Sequence, residues 1–115
     1  MHRFSMPPED RVRLLHMIEA ADEAISFVAD KICAELENDR KTLFAVIRCV
    51  EIIGEAAAKV SEATRSTAPD VPWSAIVGMR NRLVHAYFDV DTEVVWKTVT
   101  TELPGLRSRL QTLLA

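Results

Sequence analysis

Between positions 78 and 87 the chain reads Gly-Met-Arg-Asn-Arg-Leu-Val-His-Ala-Tyr, so a permanently charged guanidinium (Arg80), an amide (Asn81), an imidazole (His85) and a phenol (Tyr87) fall within eight residues. Histidine exchanges a proton near neutral pH, and arginine grips phosphate oxygens through a fork that stays charged. Proton transfer and neutralisation of charge on a five-coordinate phosphorus are the two capacities needed to break a phosphodiester without a metal. Spacing alone carries little weight: ten arginines and three histidines in this length give about a quarter of an Arg-x4-His match by chance. A second copy is indeed present, from Arg11 to His16. The plain alternative for any isolated copy is an arginine in a surface ion pair and a histidine capping or filling a helix.

Other chemistries find no support. The three glycines stand at 54, 78 and 105, too scattered to cradle a nucleotide phosphate, and His2, His16 and His85 form no HxxxH pair. No metal site and no cofactor are expected. Glu51 and Glu55 lie one helical turn apart and could act as acid and base, but a solvated or arginine-paired face accounts for them more simply. Cys33 and Cys49 make neither a disulfide framework nor a zinc knuckle and read as buried thiols, poorly placed to bond to each other.

Helices must position these groups. Leu14, Ile18, Ala21, Ile25, Val28 and Ile32 alternate in steps of four and three, predicting a first helix over about 8–36, begun by Pro7-Pro8 and the acidic Glu9-Asp10. A second stripe, Leu43, Val46, Val50, Ile53, Ala57 and Val60, comes after the polar break 37–40 and predicts an antiparallel hairpin with the first. In this helix Gly54 and the alanines beside it would let a neighbouring backbone come close. Two prolines and two hydroxyl residues in 66–72 end it. Trp73 opens a third helix expected to run through His85 and end near 87–89. Asp91 should cap a fourth, with Pro104-Gly105 kinking or breaking it before the stripe Leu106, Leu110, Leu113. Trp73, Trp96, Phe27 and Phe44 read as core or interface aromatics rather than base-stacking platforms.

At 115 residues the chain has room for one domain, taken as 1–115. With 49% hydrophobic residues and only 3 Gly and 5 Pro, it is neither disordered nor turn-rich; the expected fold is all-α, an up-and-down bundle of four to five helices. A net charge of −3 excludes a general basic field, so any nucleic-acid contact must be local. No stretch approaches a membrane span and residues 1–8 carry no export signal, so a cytoplasmic location is expected.

The segment 71–87, Val-Pro-Trp-Ser-Ala-Ile-Val-Gly-Met-Arg-Asn-Arg-Leu-Val-His-Ala-Tyr, resembles the Arg-x4-His-x-Tyr signature of HepT-like proteins in the HEPN superfamily. Asp10-Arg11, the stretch from Arg48 to Ala56, Val95-Trp96 and Leu103-Pro104-Gly105-Leu106 extend the similarity over nearly the whole chain. The resemblance implies a dimeric HEPN bundle acting as a metal-independent ribonuclease, the toxin of a toxin–antitoxin pair whose antitoxin is a minimal nucleotidyltransferase. It implies catalytic roles for Arg80 and His85, assistance from Asn81, and Tyr87 as the acceptor of AMP from the antitoxin. Arg11 and His16, with no tyrosine two places on, keep a structural reading.

Five helical steps turn about 500°, which would point Arg80 and His85 about 140° apart while Asn81 and His85 share a face. A homodimer pairing these helices would bring Arg80 and Asn81 of one chain to His85 of the other, with Arg82 adding positive charge for substrate; alternatively Arg80 reaches round on its long stem. Two readings compete with a ribonuclease. One is a non-catalytic module that binds a nucleotide or docks a nucleotidyltransferase, and the other is a helical adaptor in which Arg80 pairs with Glu51 or Glu55.

Overall fold

The computed structural model describes residues 4–86 and 89–115, apart from the side chains of His85 and Ala86. Two long helices form its spine: α1, Pro8–Val28, and α3, Arg40–Lys59, with the short α2, Cys33–Glu37, between them. They run antiparallel, because Asp10 at the start of α1 bonds Ser61 just past α3, while Lys31 after α1 pairs with Asp39 before it. All six residues of the second stripe are buried, facing Leu14, Met17, Ala21 and Ala24 of α1. Each buried leucine or valine there contributes about 1.5–3 kcal/mol of transfer free energy.

The first helix is shorter than its periodicity implies. It stops at Val28, and Ile32, the last member of the stripe, is exposed in an extended conformation at the start of α2. Glu35 explains the restart: its carboxylate accepts the Ile32 N–H at 3.1 Å, a local cap that competes with continuing α1. Phe27 and Phe44, read as core or interface, are exposed, and Arg40 lies over the Phe44 ring at 4.8 Å. Trp73 is core, its indole N–H donating to the Ala68 carbonyl at 3.1 Å, and Trp96 packs half-buried at the core's edge.

After α3, Ser61 caps α4, Glu62–Ser66, a short helix that the apolar pattern does not signal. Asp10 is buried there. Its carboxylate accepts from the Ser61 N–H at 3.0 Å and from the Ser61 and Thr64 hydroxyls at 2.5 Å each, tying the start of α1 to the end of α3 and to α4. Burial pushes the Asp10 carboxyl pKa up, but these three donors outweigh it and hold the group below its ordinary value of 3.8.

The third helix is two, α5, Trp73–Val77, and α6, Met79–Leu83, separated at Gly78. It does not reach His85. The chain turns at Val84 into a two-stranded antiparallel hairpin, β1, Val84–Ala86, and β2, Asp89–Val90, in a bundle that is otherwise helical among the described residues. Asp91 caps α7, Thr92–Lys97, by accepting the Val94 N–H at 3.2 Å. Pro104 does not break the last helical stretch. Having no N–H to offer and a ring that crowds the carbonyl four residues back, it shifts the preceding turn into a π-helical segment, Thr98–Glu102, where Leu103 N–H donates to the Thr98 carbonyl. The helix then continues as α8, Leu103–Leu114, antiparallel to α1: Arg107 pairs with Asp22, and Arg11 donates to the Leu114 carbonyl.

Candidate active site

Gly54 sets the position of the candidate residues. A Cβ there would lie 3.2 Å from the Val77 carbonyl oxygen and 3.3 Å from that of Ile76, so only glycine lets the α5 backbone sit this close to α3. That contact places α6 beside the outer face of α3. A cleft of about 310 Å³ opens between them, lined by Glu51, Gly54, Glu55, Ala58, Val77, Arg80 and Asn81. Arg80 and Asn81 are both exposed, in the first turn of α6.

The cleft carries a chain of charges. Arg80 Nε lies 3.5 Å from Glu51 Oε2, and Arg48 reaches both Glu51, at 3.9 Å, and Glu55, at 3.3 Å. The two carboxylates are therefore an arginine-paired face, the simpler of their two readings. The Arg80 side chain keeps 47% of its surface exposed, and a pair this open is worth about 0–1 kcal/mol. A phosphate that takes both arms of the guanidinium forms charge-assisted bonds of about 1.5–3 kcal/mol, enough to displace Glu51.

Arg82 does not join this cleft. It turns to the opposite side of α6, pairs with Glu102 of the π segment at 3.5 Å, and lines a separate cavity of about 280 Å³ with Met79 and Leu106. His85 stands on β1, two residues beyond the end of α6, so the helical rotation of about 140° between Arg80 and His85 does not apply. A chain that leaves the helix at Val84 is free of the fixed angle that made one helix an awkward catalytic platform. Tyr87 and the side chain of His85 lie outside the described residues. Among the described residues, no group of three His, Cys, Asp or Glu side chains stands close enough to hold a metal ion. Among the described residues, no helix is long and apolar enough to cross a membrane.

Both thiols are free, Cys49 buried and Cys33 only partly so. Burial raises both pKa values, helped by Glu37 and Glu93 at Cys33 and by Glu23 at Cys49, where Arg48 opposes it. Neither is an activated nucleophile. Sequence reasoning missed the buried Asp10 carboxylate that ties α1 to Ser61 and Thr64, and the Arg48 bridge; the serine and threonine spaced at 61 and 64 were the available signal for the first.

The fold and cleft define a helical domain with an exposed Arg-Asn pair on a short helix and a histidine just beyond it. The chain matches the family described as ribonuclease HepT-like over residues 17–113, and it belongs to that family. It is 40% identical over 105 residues to a Thermococcus cleftensis protein named "Probable ribonuclease HepT", covering 91% of this chain and 90% of that one. It is also 34% identical over 110 residues to the Methanocaldococcus jannaschii protein "Putative RNase MJ0125", covering 95% of each. No solved structure matches the chain.

Proposed function

We propose that this protein is a metal-independent endoribonuclease, with Arg80, Asn81 and His85 as its catalytic residues. The observation that carries the reading is the cleft at α6: in a chain of the HepT-like ribonuclease family, Arg80 and Asn81 face solvent together, three and two residues before the end of the helix that hands the chain to His85. In the reaction, a ribose 2′-OH gives its proton to an imidazole and its oxygen attacks the adjacent phosphorus. The bond from phosphorus to the 5′-oxygen breaks, and that oxygen takes a proton from a second imidazole. The products are a 2′,3′-cyclic phosphate and a 5′-hydroxyl. Arg80 holds the non-bridging oxygens, and Asn81 donates to them or orients the imidazole.

Two proton-transfer groups from one histidine per chain call for a homodimer in which His85 of each subunit serves one shared cleft, with Arg82 adding charge for the flanking RNA. The same reading makes the protein a toxin restrained by a nucleotidyltransferase antitoxin. An AMP on Tyr87 would set an anion two residues from His85 and compete for the Arg80 fork.

The Arg80–Glu51 pair favours the competing adaptor reading. Labelled RNA incubated with the pure protein decides between them. The proposal expects cleavage that survives a chelator and falls about 10²–10⁴-fold in His85→Ala, the range for losing a general acid or base. Chelator-sensitive cutting, or a fully active His85→Ala, would overturn it.

A further inference from the structure

The second Arg-x4-His copy lies on α1, and its histidine reaches a surface that the proposed chemistry does not use. His16 lines a small cleft of about 110 Å³ with Arg13, Ile52, Glu55, Ala56 and Lys59. This cleft and the Arg80 cleft lie on opposite sides of α3 and share one wall, Glu55. Between them runs a low ridge, because the exposed positions there include the small Ala58 as well as Glu55.

Charge distinguishes this surface from the rest of an acidic chain. Alone among the described arginines, Arg13 makes no ion pair, hydrogen bond or ring contact, whereas Arg48, Arg80, Arg82, Arg107 and Arg109 are all bound to carboxylates. Among the described residues, Lys59, like Lys41 and Lys97, makes no ion pair, and of these three only Lys59 lines the cleft with Arg13. Glu55, which lines the same small cleft, is engaged by Arg48 at 3.3 Å, so neither Arg13 nor Lys59 pairs with it; Glu19 and Glu23 lie beyond His16, in the adjoining cleft. Lys59 lies eight residues along α3 from Glu51, an axial distance of about 12 Å at 1.5 Å per residue. That is a span of a few nucleotides of extended single strand.

We infer that Arg13, His16 and Lys59, which line this one cleft, form a second phosphate-binding subsite, and that single-stranded RNA crosses the α3 ridge from this subsite into the Arg80 cleft. The inference deepens the ribonuclease reading and rests on it for the identity of the strand. It accounts for an unpaired arginine of α1 and an unpaired lysine of α3 lining one cleft, and it gives the enzyme a grip on the backbone beyond the cleaved linkage. Phosphate contacts of this kind set register and affinity without reading bases.

The test is equilibrium binding of a fluorescent single-stranded RNA, about twelve nucleotides long, to His85→Ala protein over a range of salt concentrations, alone and with Arg13→Ala/Lys59→Ala added. A charge-matched control carries Lys41→Ala/Lys97→Ala, two lysines that line neither cleft. Thermal melts verify that each variant is folded. The Arg13/Lys59 pair should weaken binding about tenfold at physiological salt and reduce the slope of log K against log salt by about 1.4, or about 0.7 for each lost contact. The control should change neither. Equal losses in both double variants would mean that only net charge matters and would overturn the subsite, as would unchanged binding in Arg13→Ala/Lys59→Ala or no binding by the parent protein. Cleavage by the His85-containing protein is scored separately. If it fails while the Arg13/Lys59 effect holds, the nuclease reading falls and the subsite stands.

Discussion

Replacing Gly54 by alanine tests whether the α3–α5 contact sets the geometry of the cleft. In the interior of α3 the change itself should stabilise by about 1 kcal/mol, through the better helix propensity of alanine. Against this, the new methyl would lie 3.2 and 3.3 Å from two carbonyl oxygens, which must retreat by a few tenths of an ångström. Those oxygens belong to the α5 backbone and cannot rotate away, and α5 is pinned by the buried Trp73 and Ile76. Overpacking of this kind costs about 1–3 kcal/mol, leaving a net loss of about 1 kcal/mol and a fall of about 4 °C in Tm for a chain of this size. The same displacement passes through Gly78 to Arg80. Taking about a hundredfold loss of rate per ångström of misplacement, a shift of about 0.3 Å lowers kcat about fourfold. Differential scanning calorimetry and single-turnover RNA cleavage at about 25 °C measure the two effects. Gly105→Ala in α8 is the matched control: nothing lies within 4 Å of its added Cβ, so it should gain up to about 1 kcal/mol. If Gly54→Ala gained as much, with cleavage unchanged, the close approach of α5 to α3 would be refuted.

Individual contacts give three further expected outcomes. Because the Asp10 carboxyl is held below 3.8 in the fold, its stabilisation is fully present above that value and is lost as the pH falls through the lower folded-state value. Acid unfolding of Asp10→Asn, monitored by circular dichroism, should therefore show a flatter stability profile below pH 3.8, together with a loss of about 2–3 kcal/mol at neutral pH from the weakened Ser61 and Thr64 bonds; a profile as steep as the parent's would show that other carboxylates dominate. Glu51→Gln removes the competitor for the Arg80 fork and should tighten RNA binding about two- to fivefold while changing stability by less than about 1 kcal/mol; weaker binding in a titration would show that Glu51 supports Arg80 rather than competing for it. An Arg80→Lys variant, which keeps the charge but loses the bidentate fork, should retain much of the RNA affinity in the same titration and lose cleavage by about tenfold or more.

The long helices were legible because α1 and α3 bury continuous stripes, and a period of about 3.6 survives whatever packs against it. Their ends were not. Ile32 extends the stripe of α1 in phase and no glycine or proline interrupts it, yet the chain breaks at Val28 because the Glu35 side chain offers Ile32 N–H a better local partner. Phase alone cannot register such a competition. Pro104 shows the opposite failure: the expected break is absorbed by widening one turn, a response that depends on the burial of Thr98, Val99 and Leu103 holding the helix in place.

At the site, the sequence placed Arg80 and Asn81 on a helix, as observed, but carried that helix past its end at Leu83. Val84, Tyr87, Phe88 and Val90 favour extended structure, and this run was available in the sequence as a signal against carrying the helix through His85. Ending α6 at Leu83 has a chemical consequence. On a continuous helix, Arg80 and His85 would be rigidly splayed, whereas a strand beginning at Val84 separates the element that carries Arg80 from the element that carries His85. The first is anchored against α3 through Gly54, and the second is joined to the bundle by backbone pairing of Val84 with Val90 and by the bond from Asp91 N–H to the Leu83 carbonyl at 2.9 Å. In the proposed reaction, where imidazoles from two subunits serve one phosphate, that division leaves His85 to be set by the hairpin while Arg80 is set by the packing of α6 on α3.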